Sequence, residues 1–557
     1  MRPRLSGLAL AGLVLVAGAG ALAQAEAERR LDAAIERLRT ALGPNGSLTI
    51  GGRRVDPVTG QATLTDVVLA QGADRATIPE LRLSDVSETR IGRAEALRPR
   101  QAGTGPSATT GEAARILLAG VPLPAPGQPF DWTRLAAEAV EVEALRLQSP
   151  EQGSFRLDRL SLRDARREGL GSGTLEGLDY AATGAAAQAF RLGRVALEGL
   201  VLPLGPTDEF DPLLFRAGRL AIENFALRDP DRDVVLGLAR FDLQDWVPGR
   251  PTTLTVERLE SASPAAPLGR LEMRLARLAV SGIDAAGTLA AVMRNRQPPD
   301  PRPGVAQRGV LEGLEANLDG QPVLVLPRMA SDAALENGIA TGGLAVEGLR
   351  VVPPPAYDDW LRALGLNEIA GAIETRASVP RAGGRFEVAP FRLAWNEAAT
   401  LTANVVLENM PATPPEGAEL DPQATMAGYL AARIGAVTLT LRDQGLVGRL
   451  LAAQARQQRI PEARLREQWA QMALALPLPG SQPSPPPRRG QGQAQPAPAQ
   501  PDPFAQARQA FASFIRRPGT LEVSLRPTKP VAFSDLPAVQ NDPVLAARVL
   551  GLSVTAR

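Results

Sequence analysis

Three clusters in this chain have residue types and spacings that could do chemistry. Asp229, Asp231 and Asp233 stand at alternate positions, as the oxygen ligands of a calcium loop do. Val234, however, takes the place of the sharp-turn glycine and Arg240 that of the bidentate glutamate, so the motif reads as a solvated turn between strands. Gly169, Gly171 and Gly173 suggest a phosphate cradle, but the lysine and hydroxyl residue that complete a P-loop do not follow, and a flexible turn is the reading. Asp358 and Asp359 could offer a carboxylate to glycoside hydrolysis, yet neighbours on a helix point apart and no facing partner is marked. Tyr357-Asp358-Asp359-Trp360 therefore reads as a helix N-terminus with Trp360 in the core. No catalytic, cofactor-binding or metal-ligating residue is expected from these clusters.

The absences are more decisive. The chain has no histidine and no cysteine, which removes Ser-His-Asp and Cys-His nucleophiles, His- or Cys-ligated zinc, thiol redox chemistry, haem ligation through either residue, and disulfides. A hydrolase would have to work with Asp or Glu alone. Lys+Arg number 61 against 60 Asp+Glu, a formal net charge of +1, so bulk charge draws the chain to neither nucleic acid nor an anionic membrane. Aromatic residues are only 4%, too few for base-stacking platforms, and no nucleic-acid partner is expected.

The elements that would position any site are strands. Phe155, Leu157, Leu160 and Leu162 form a phrase that recurs as Phe190, Leu192, Val195, Leu197 and as Phe215, Ala217, Leu220, Ile222. Arginines sit between the apolar positions at 156 and 159, 191 and 194, 216 and 219. Alternating pairs require a pleated strand with one buried face. The pairs step by five, however, which flips the face of a flat strand, so the sequence calls either for bulges near Gly193 and Gly199 or for two short strands per phrase. Unequal phrase spacing rules out a fixed solenoid period and favours long antiparallel meanders.

Around this block the chain divides into four parts. Residues 1–23 read as a signal peptide: Arg2 and Arg4, an apolar run from Leu5 to Gly20, and Ala21-Leu22-Ala23 before Gln24. An uncleaved anchor facing the periplasm is the alternative, and would give membrane association through this segment. Residues 24–46 hold an amphipathic helix with Leu31, Ile35, Leu38 and Leu42 on one face. Residues 47–410 form a repetitive β-rich region, with strands expected at 63–69, 81–86, 140–147, 344–351, 372–379, 386–395 and 401–407. Residues 411–557 form a C-terminal α+β region with a helical hairpin from Leu446, a disordered Pro/Gln/Gly-rich loop at 481–503, and an Asp542-Pro543 helix start. The fold class is mainly β: extended antiparallel sheets, groove-like or meandering, with a helix in front and an α+β region behind.

The strand phrases, the secretory start and the leading helix together resemble the AsmA-like and YdgA-like groups of Gram-negative envelope proteins. The stretches Asp443-Gln444-Gly445-Leu446, Ile460-Pro461-Glu462, Arg517-Pro518-Gly519-Thr520-Leu521 and Arg526-Pro527-Thr528-Lys529-Pro530-Val531 are similar to the ends of secreted alphaproteobacterial proteins of uncharacterised function. The resemblance implies long β-sheets bent into a groove and a part in lipid handling or outer-membrane upkeep, and carries over no site residue. Two readings follow, with a hydrolase that uses Asp or Glu alone as the third and less favoured one. In the first, a non-enzymatic periplasmic protein binds lipid or an outer-membrane client along an open apolar sheet face. In the second, the face is ordinary core and the chain is a scaffold that recruits partners through strand edges or the loop at 481–503.

Overall fold

The computed structural model describes residues 21–43, 46–56, 59–72, 74–103, 108–123, 136–166, 168–184, 188–202, 211–355, 358–475, 504–539 and 542–557. Most of the expected signal segment, Tyr357 and the expected loop at 481–503 lie outside the described residues. The chain divides into two compact units between Ala290 and Ala291.

The first unit opens with helix α1 (Ala21–Ala41) and continues as an antiparallel meander. Its strands are β1 (Gly46–Val55), β2 (Ala62–Gln71), β3 (Asp74–Val86), β4 (Arg90–Leu97), β5 (Arg100–Gly103), β6 (Thr110–Glu112), β7 (Arg115–Pro122) and β8 (Ala137–Ser149). These are followed by β9 (Gly153–Ala165), β10 (Gly169–Ala181), β11 (Ala189–Val201), β12 (Ala217–Asp229), β13 (Val234–Trp246), β14 (Thr252–Pro264) and β15 (Arg270–Ile283). Each strand pairs with its successor, with one variation. β4 and β5 are two halves of one line, both paired to β3, and β6 and β7 are likewise two halves, both paired to β8.

The five-residue step is resolved by single long strands, each bent where one residue is left-handed. At Asp66, Arg98, Ala144, Gly177, Asn224 and Arg258 φ lies between +50° and +64°. In the strand registers these residues form one line with Gly51, Pro79, Ala114, Asp158, Gly193, Ala239 and Ala276, left-handed and ordinary residues alternating from strand to strand. A second line joins Asp85, Gly120, Asp164, Gly199 and Asp245, also at positive φ, to Gly92, Glu138, Gly171, Gly218 and Thr252. The pairing of β10 with β11 continues in step on both sides of Gly177 and Gly193, because each strand leaves one residue out at the same place. Gly193 thus faces a crease in which neither strand slips, and Gly199 is the left-handed residue of the other.

Each crease adds one residue to both partners, so apolar side chains spaced two, three and two apart stay on one face. Ala62, Leu64, Val67 and Leu69 of β2, and Ala76, Ile78, Leu81, Leu83 and Val86 of β3, all enter one buried cluster with Leu31, Ala34, Ile35 and Leu38 of α1. Val140, Val142, Leu145 and Leu147, on both sides of left-handed Ala144, pack against that cluster too. Leu31, Leu64, Ile78, Leu81 and Leu83 are wholly buried. At about 1.5–3 kcal/mol for each large side chain, this burial is what holds β1–β8 around the helix.

Helix α2 (Ala285–Met293) spans the division, and only its end, Ala291 to Met293, belongs to the second unit, which continues with β16 (Gln307–Leu318), β17 (Gln321–Glu336), β18 (Ile339–Val351), the short helix α3 (Asp359–Ala363), β19 (Ile369–Pro380), β20 (Gly384–Trp395) and β21 (Ala399–Met410). Next come α4 (Pro422–Ala431), β22 (Arg433–Asp443), α5 (Leu446–Gln458), α6 (Glu462–Ala475), α7 (Ala505–Arg516), β23 (Thr520–Leu525), β24 (Val531–Ala532), α8 (Leu536–Val539), α9 (Pro543–Val549) and β25 (Leu552–Ala556). β16 to β23 form a second antiparallel meander, closed by β25 on β23. The expected α+β character and helical hairpin are present, and Asp542 caps α9 through the Leu545 N–H at 3.0 Å.

Gly177 and Ala144 separate the roles of the crease. A Cβ at Gly177 would lie 2.1 Å from Asp158 Oδ2 and 2.6 Å from its Cγ, and φ is +64°. Gly177→Ala is expected to lower unfolding free energy by about 1–3 kcal/mol, whereas Ala144→Gly, which relieves a left-handed alanine, costs nothing. Urea unfolding of both variants checks this; equal losses would contradict a backbone origin of the crease.

Candidate functional site

Directly opposed residues in a sheet share a face, so the register of β8–β15 assembles rows of side chains that run across eight strands. One row is Leu145, Leu157, Leu178, Leu192, Phe225, Leu238, Leu259 and Leu275. Across the first crease the next is Val142, Leu160, Leu175, Val195, Ile222, Phe241, Val256 and Leu278. A third, Val140, Leu162, Gly173, Leu197, Leu220, Leu243, Leu254 and Val280, is interrupted only by a glycine. Nearer the hairpin turns a fourth row holds Leu147, Phe155, Tyr180, Phe190, Leu227, Leu236, Ser261 and Met273. This last row floors a groove of about 1680 Å³ that extends back to Gln101 and Gly111. Tyr180 and Phe190 stack there with ring centroids 5.2 Å apart, and the Tyr180 hydroxyl donates to the Gln152 carbonyl at 3.0 Å.

Coverage of this face changes along the sheet. The buried cluster around α1 reaches no further than β8. Beyond it Leu157 and Leu178 are buried, but Phe155, Tyr180, Phe190, Leu192, Leu227 and Leu236 are half-buried and Met273 is 39% exposed. In the second unit the row Leu311, Met329, Val346, Ile373, Leu393, Leu401, Leu441, Leu521 and Ala556 is likewise continuous. There α7 covers its last strands, with Ala507, Ala510 and Phe514 packed on Leu441, Leu521 and Ala556. Each unit thus has one helix-covered end of its apolar face and a run of strands whose apolar rows keep access to solvent.

The opposite face of β7–β15 carries charge in an ordered way. Arg115, Glu143, Arg159, Glu176, Arg194, Glu223, Arg240, Glu257 and Arg277 stand directly opposite one another, strand by strand, with alternating sign. Each exposed pair contributes only about 0.2–1 kcal/mol, but like charges placed opposite are unfavourable, so the ladder disfavours pairing of two Arg strands or two Glu strands. At the β7 end Arg115 bonds Glu95 as well as Glu141 and Glu143, and its pKa is raised first by the hydrogen bond to Glu95. On β13 Asp242, 4% exposed, accepts from Arg219 and Arg240 at 2.8 Å each and from Gln244 at 3.1 Å. Burial pushes this carboxyl up, but the hydrogen bonds from Arg219, Arg240 and Gln244 together outweigh it and lower the pKa to about 2.

The residues singled out by spacing are held in local contacts. Asp229 is buried at the β12–β13 turn, where Oδ1 accepts from the Arg232 N–H at 3.2 Å and Oδ2 from Gln188 at 2.8 Å; it is not solvated as expected. Among the described residues no group of acidic side chains could hold a metal ion. Gly169, Gly171 and Gly173 are in strand β10, not in a flexible turn. A Cβ at Gly171 would stand 3.0 Å from that of crease residue Asp164, and one at Gly173 would meet Leu170 and Leu162 at 2.8 and 3.0 Å. Asp358 and Asp359 begin α3 and share Arg362 at 2.7 and 2.6 Å. Trp360 is 49% exposed and Leu361 takes the core position, because Leu361, not Trp360, is the α3 residue turned inward.

Three of the four C-terminal stretches make defined local contacts. Asp443 accepts from the Gly445 and Val447 N–H groups at 3.1 and 2.9 Å and so starts α5. Glu462 pairs with Arg466 in α6, and Arg466 reaches the Ile515 carbonyl of α7 at 3.2 Å. Glu467 meets Arg516 at 2.7 Å; that hydrogen bond, with a second from Gln471, lowers the exposed carboxyl to about 2. Gly519 lies where a Cβ would be 2.3 Å from the Arg557 carbonyl oxygen. Among the described residues no helix is long and apolar enough to cross a membrane.

A protein-family model described as "Uncharacterized protein" matches residues 392–557, the part that contains all four of these stretches. No curated protein matches the chain.

Asp242 supplies a test of the charged face. Its folded pKa is depressed, so its stabilisation is fully present above the ordinary carboxylate range and is lost as pH falls through that range toward 2. Asp242→Asn is expected to cost about 1–2 kcal/mol at pH 7, after discounting for the half-exposed arginines, and progressively less from pH 4 downward. Urea midpoints of both proteins across that range read the difference; a gap independent of pH would contradict the assignment.

Proposed function

We propose that this chain is a non-enzymatic envelope protein of the periplasm that holds lipid, or the apolar segment of an outer-membrane client, along the creased apolar face of its first unit. The observation that carries the reading is the set of four apolar rows on β8–β15, half-buried beyond the reach of α1, with a groove of about 1680 Å³ along the outermost row. Burial of an acyl chain there returns about 25 cal/mol per Å² of apolar area. The groove joins an apolar row to charged lining residues, among them Arg146, Asp179, Arg191 and Arg274, which suits an amphiphile with a hydrocarbon chain and a polar head. The N-terminal Arg2, Arg4, apolar run and Ala21-Leu22-Ala23 support export, and the resemblance to AsmA-like and YdgA-like proteins supports the envelope and lipid.

Phe190→Asp and Leu227→Asp place a charge at half-buried groove positions without opening the α1 cluster. Protein purified from envelope fractions without detergent is expected to yield lipid in a fixed ratio by extraction and mass spectrometry. Both variants should retain the wild-type circular dichroism spectrum and lose most of that lipid. Lipid-free wild-type protein would turn the reading to the scaffold alternative.

A further inference from the structure

Around the groove of the first unit the charge is unbalanced. Eight arginines and four carboxylates line it, in a chain whose 61 basic and 60 acidic residues nearly cancel. Each lining carboxylate already has its arginine: Glu112 stands opposite Arg100 and Arg146, Asp179 opposite Arg156 and Arg191, and Glu260 opposite Arg274, while Glu272 lies 4.0 Å from Arg270. Asp158 and Asp233 bond Arg156 and Arg270 from outside the lining, and the arginines still outnumber the carboxylates. Arg228 faces only Ala189 and Val235 across its strand pairs, and Arg75 only Ala70 and Ala102. Arg146 and Arg156 stand directly opposite each other on β8 and β9, the one place among the described strand pairs of the first unit where like charges meet. Such a pair is unfavourable in a sheet, and the neighbouring ladder through Glu143, Arg159 and Glu176 avoids it. Strand alternation sends Arg146, Arg156, Arg191 and Arg228 to the side of the sheet opposite their sequence neighbours Leu147, Phe155, Phe190 and Leu227. The lining contains both sets, so the groove has an apolar wall and a cationic wall that meet at the hairpin end of the strands.

We propose that the amphiphile held by this groove carries a phosphate-bearing head of net negative charge, with its acyl chain along the apolar row and its head among Arg146, Arg156, Arg191 and Arg228. The inference rests on the lipid-binding reading above and names the class of lipid. Guanidinium groups present planar forks of N–H donors that match phosphate oxygens two at a time. A negative head between Arg146 and Arg156 turns a repulsive pair into a bridged one, whereas a zwitterionic head brings its own cation to the same place. The residues opposite the other two arginines are small, Ala226 across from Arg191 and Ala189 across from Arg228, which leaves room above the sheet for the head.

The experiment offers the purified full chain vesicles of equal parts phosphatidylcholine and phosphatidylglycerol, re-isolates the protein by gel filtration and quantifies both lipids by mass spectrometry. Wild type is compared with Arg146→Gln plus Arg156→Gln and with Arg228→Gln. Wild type is expected to carry phosphatidylglycerol in about fivefold excess at low salt and in smaller excess at high salt. Both variants should carry the wild-type amount of total lipid with the excess reduced to about twofold or less. The double variant should also unfold at no lower urea concentration than wild type, because it removes a like-charge pair; a purely structural role for the two arginines would lower that midpoint and leave the lipid ratio alone. Uptake of both lipids in equal amounts, or variants that keep the wild-type excess, would overturn this inference alone. Stabilisation by inorganic phosphate that the variants lose, with no phosphatidylglycerol excess, would assign the arginines to a free anion and overturn it too. Protein that takes up neither lipid would overturn the proposed function and this inference with it.

Discussion

The left-handed residue is the constraint on which this architecture depends. A strand in which apolar residues step by five cannot keep one face unless an extra residue is absorbed between pairs. A lone bulge would absorb it in one strand and shift the register with its neighbour. Here both partners leave one residue unpaired at the same place, so the register survives and the crease passes to the next strand. At some facing positions the residue is glycine because there is no room for more: a Cβ at Gly51, Gly92 or Gly193 would come within 2.9, 2.4 and 3.0 Å of the Cβ of Asp66, Asp85 and Asn224. The apolar rows, the outward charge ladder and the groove all follow from this one repeated local conformation.

The sequence disclosed the strands more readily than the crease. Alternation at 63–69, 81–86, 140–147 and 372–379 was enough to place β2, β3, β8 and β19, because half-buried strands carry that signature directly. The crease had a signature too, a four-residue pattern of apolar, Glu, left-handed residue, apolar. It occurs at Val142-Glu143-Ala144-Leu145, Leu175-Glu176-Gly177-Leu178, Ile222-Glu223-Asn224-Phe225, Val256-Glu257-Arg258-Leu259, Leu311-Glu312-Gly313-Leu314 and Val346-Glu347-Gly348-Leu349. It was hidden because its third position accepts Gly, Asn, Ala and Arg, and because the glutamate finds its arginine only across the strand pair. The arginines at 159 and 194 stood out as isolated punctuation until pairing set them against Glu143, Glu176 and Glu223. Gly169, Gly171 and Gly173 misled for the opposite reason: glycine signalled a turn, whereas here it leaves room beside a neighbouring strand.

Whether an apolar face is core or groove cannot be told from periodicity, since the same leucines serve both. The difference lies in which helix lies against which strands. Leu31, Ile35 and Leu38 cover the face as far as β8, and Phe514 with its alanines covers β22, β23 and β25. Between a covered end and an uncovered run, chemically identical rows change from sealed core to half-buried surface, and the proposed lipid-holding role rests on that change.

The most direct test of that account is a crystal structure of the protein purified from envelope fractions without detergent or added lipid. Elongated density lying along the row from Leu147 through Phe190 to Met273 is the predicted result. The same row sealed by side chains from elsewhere in the chain, with no space for a ligand, would contradict it.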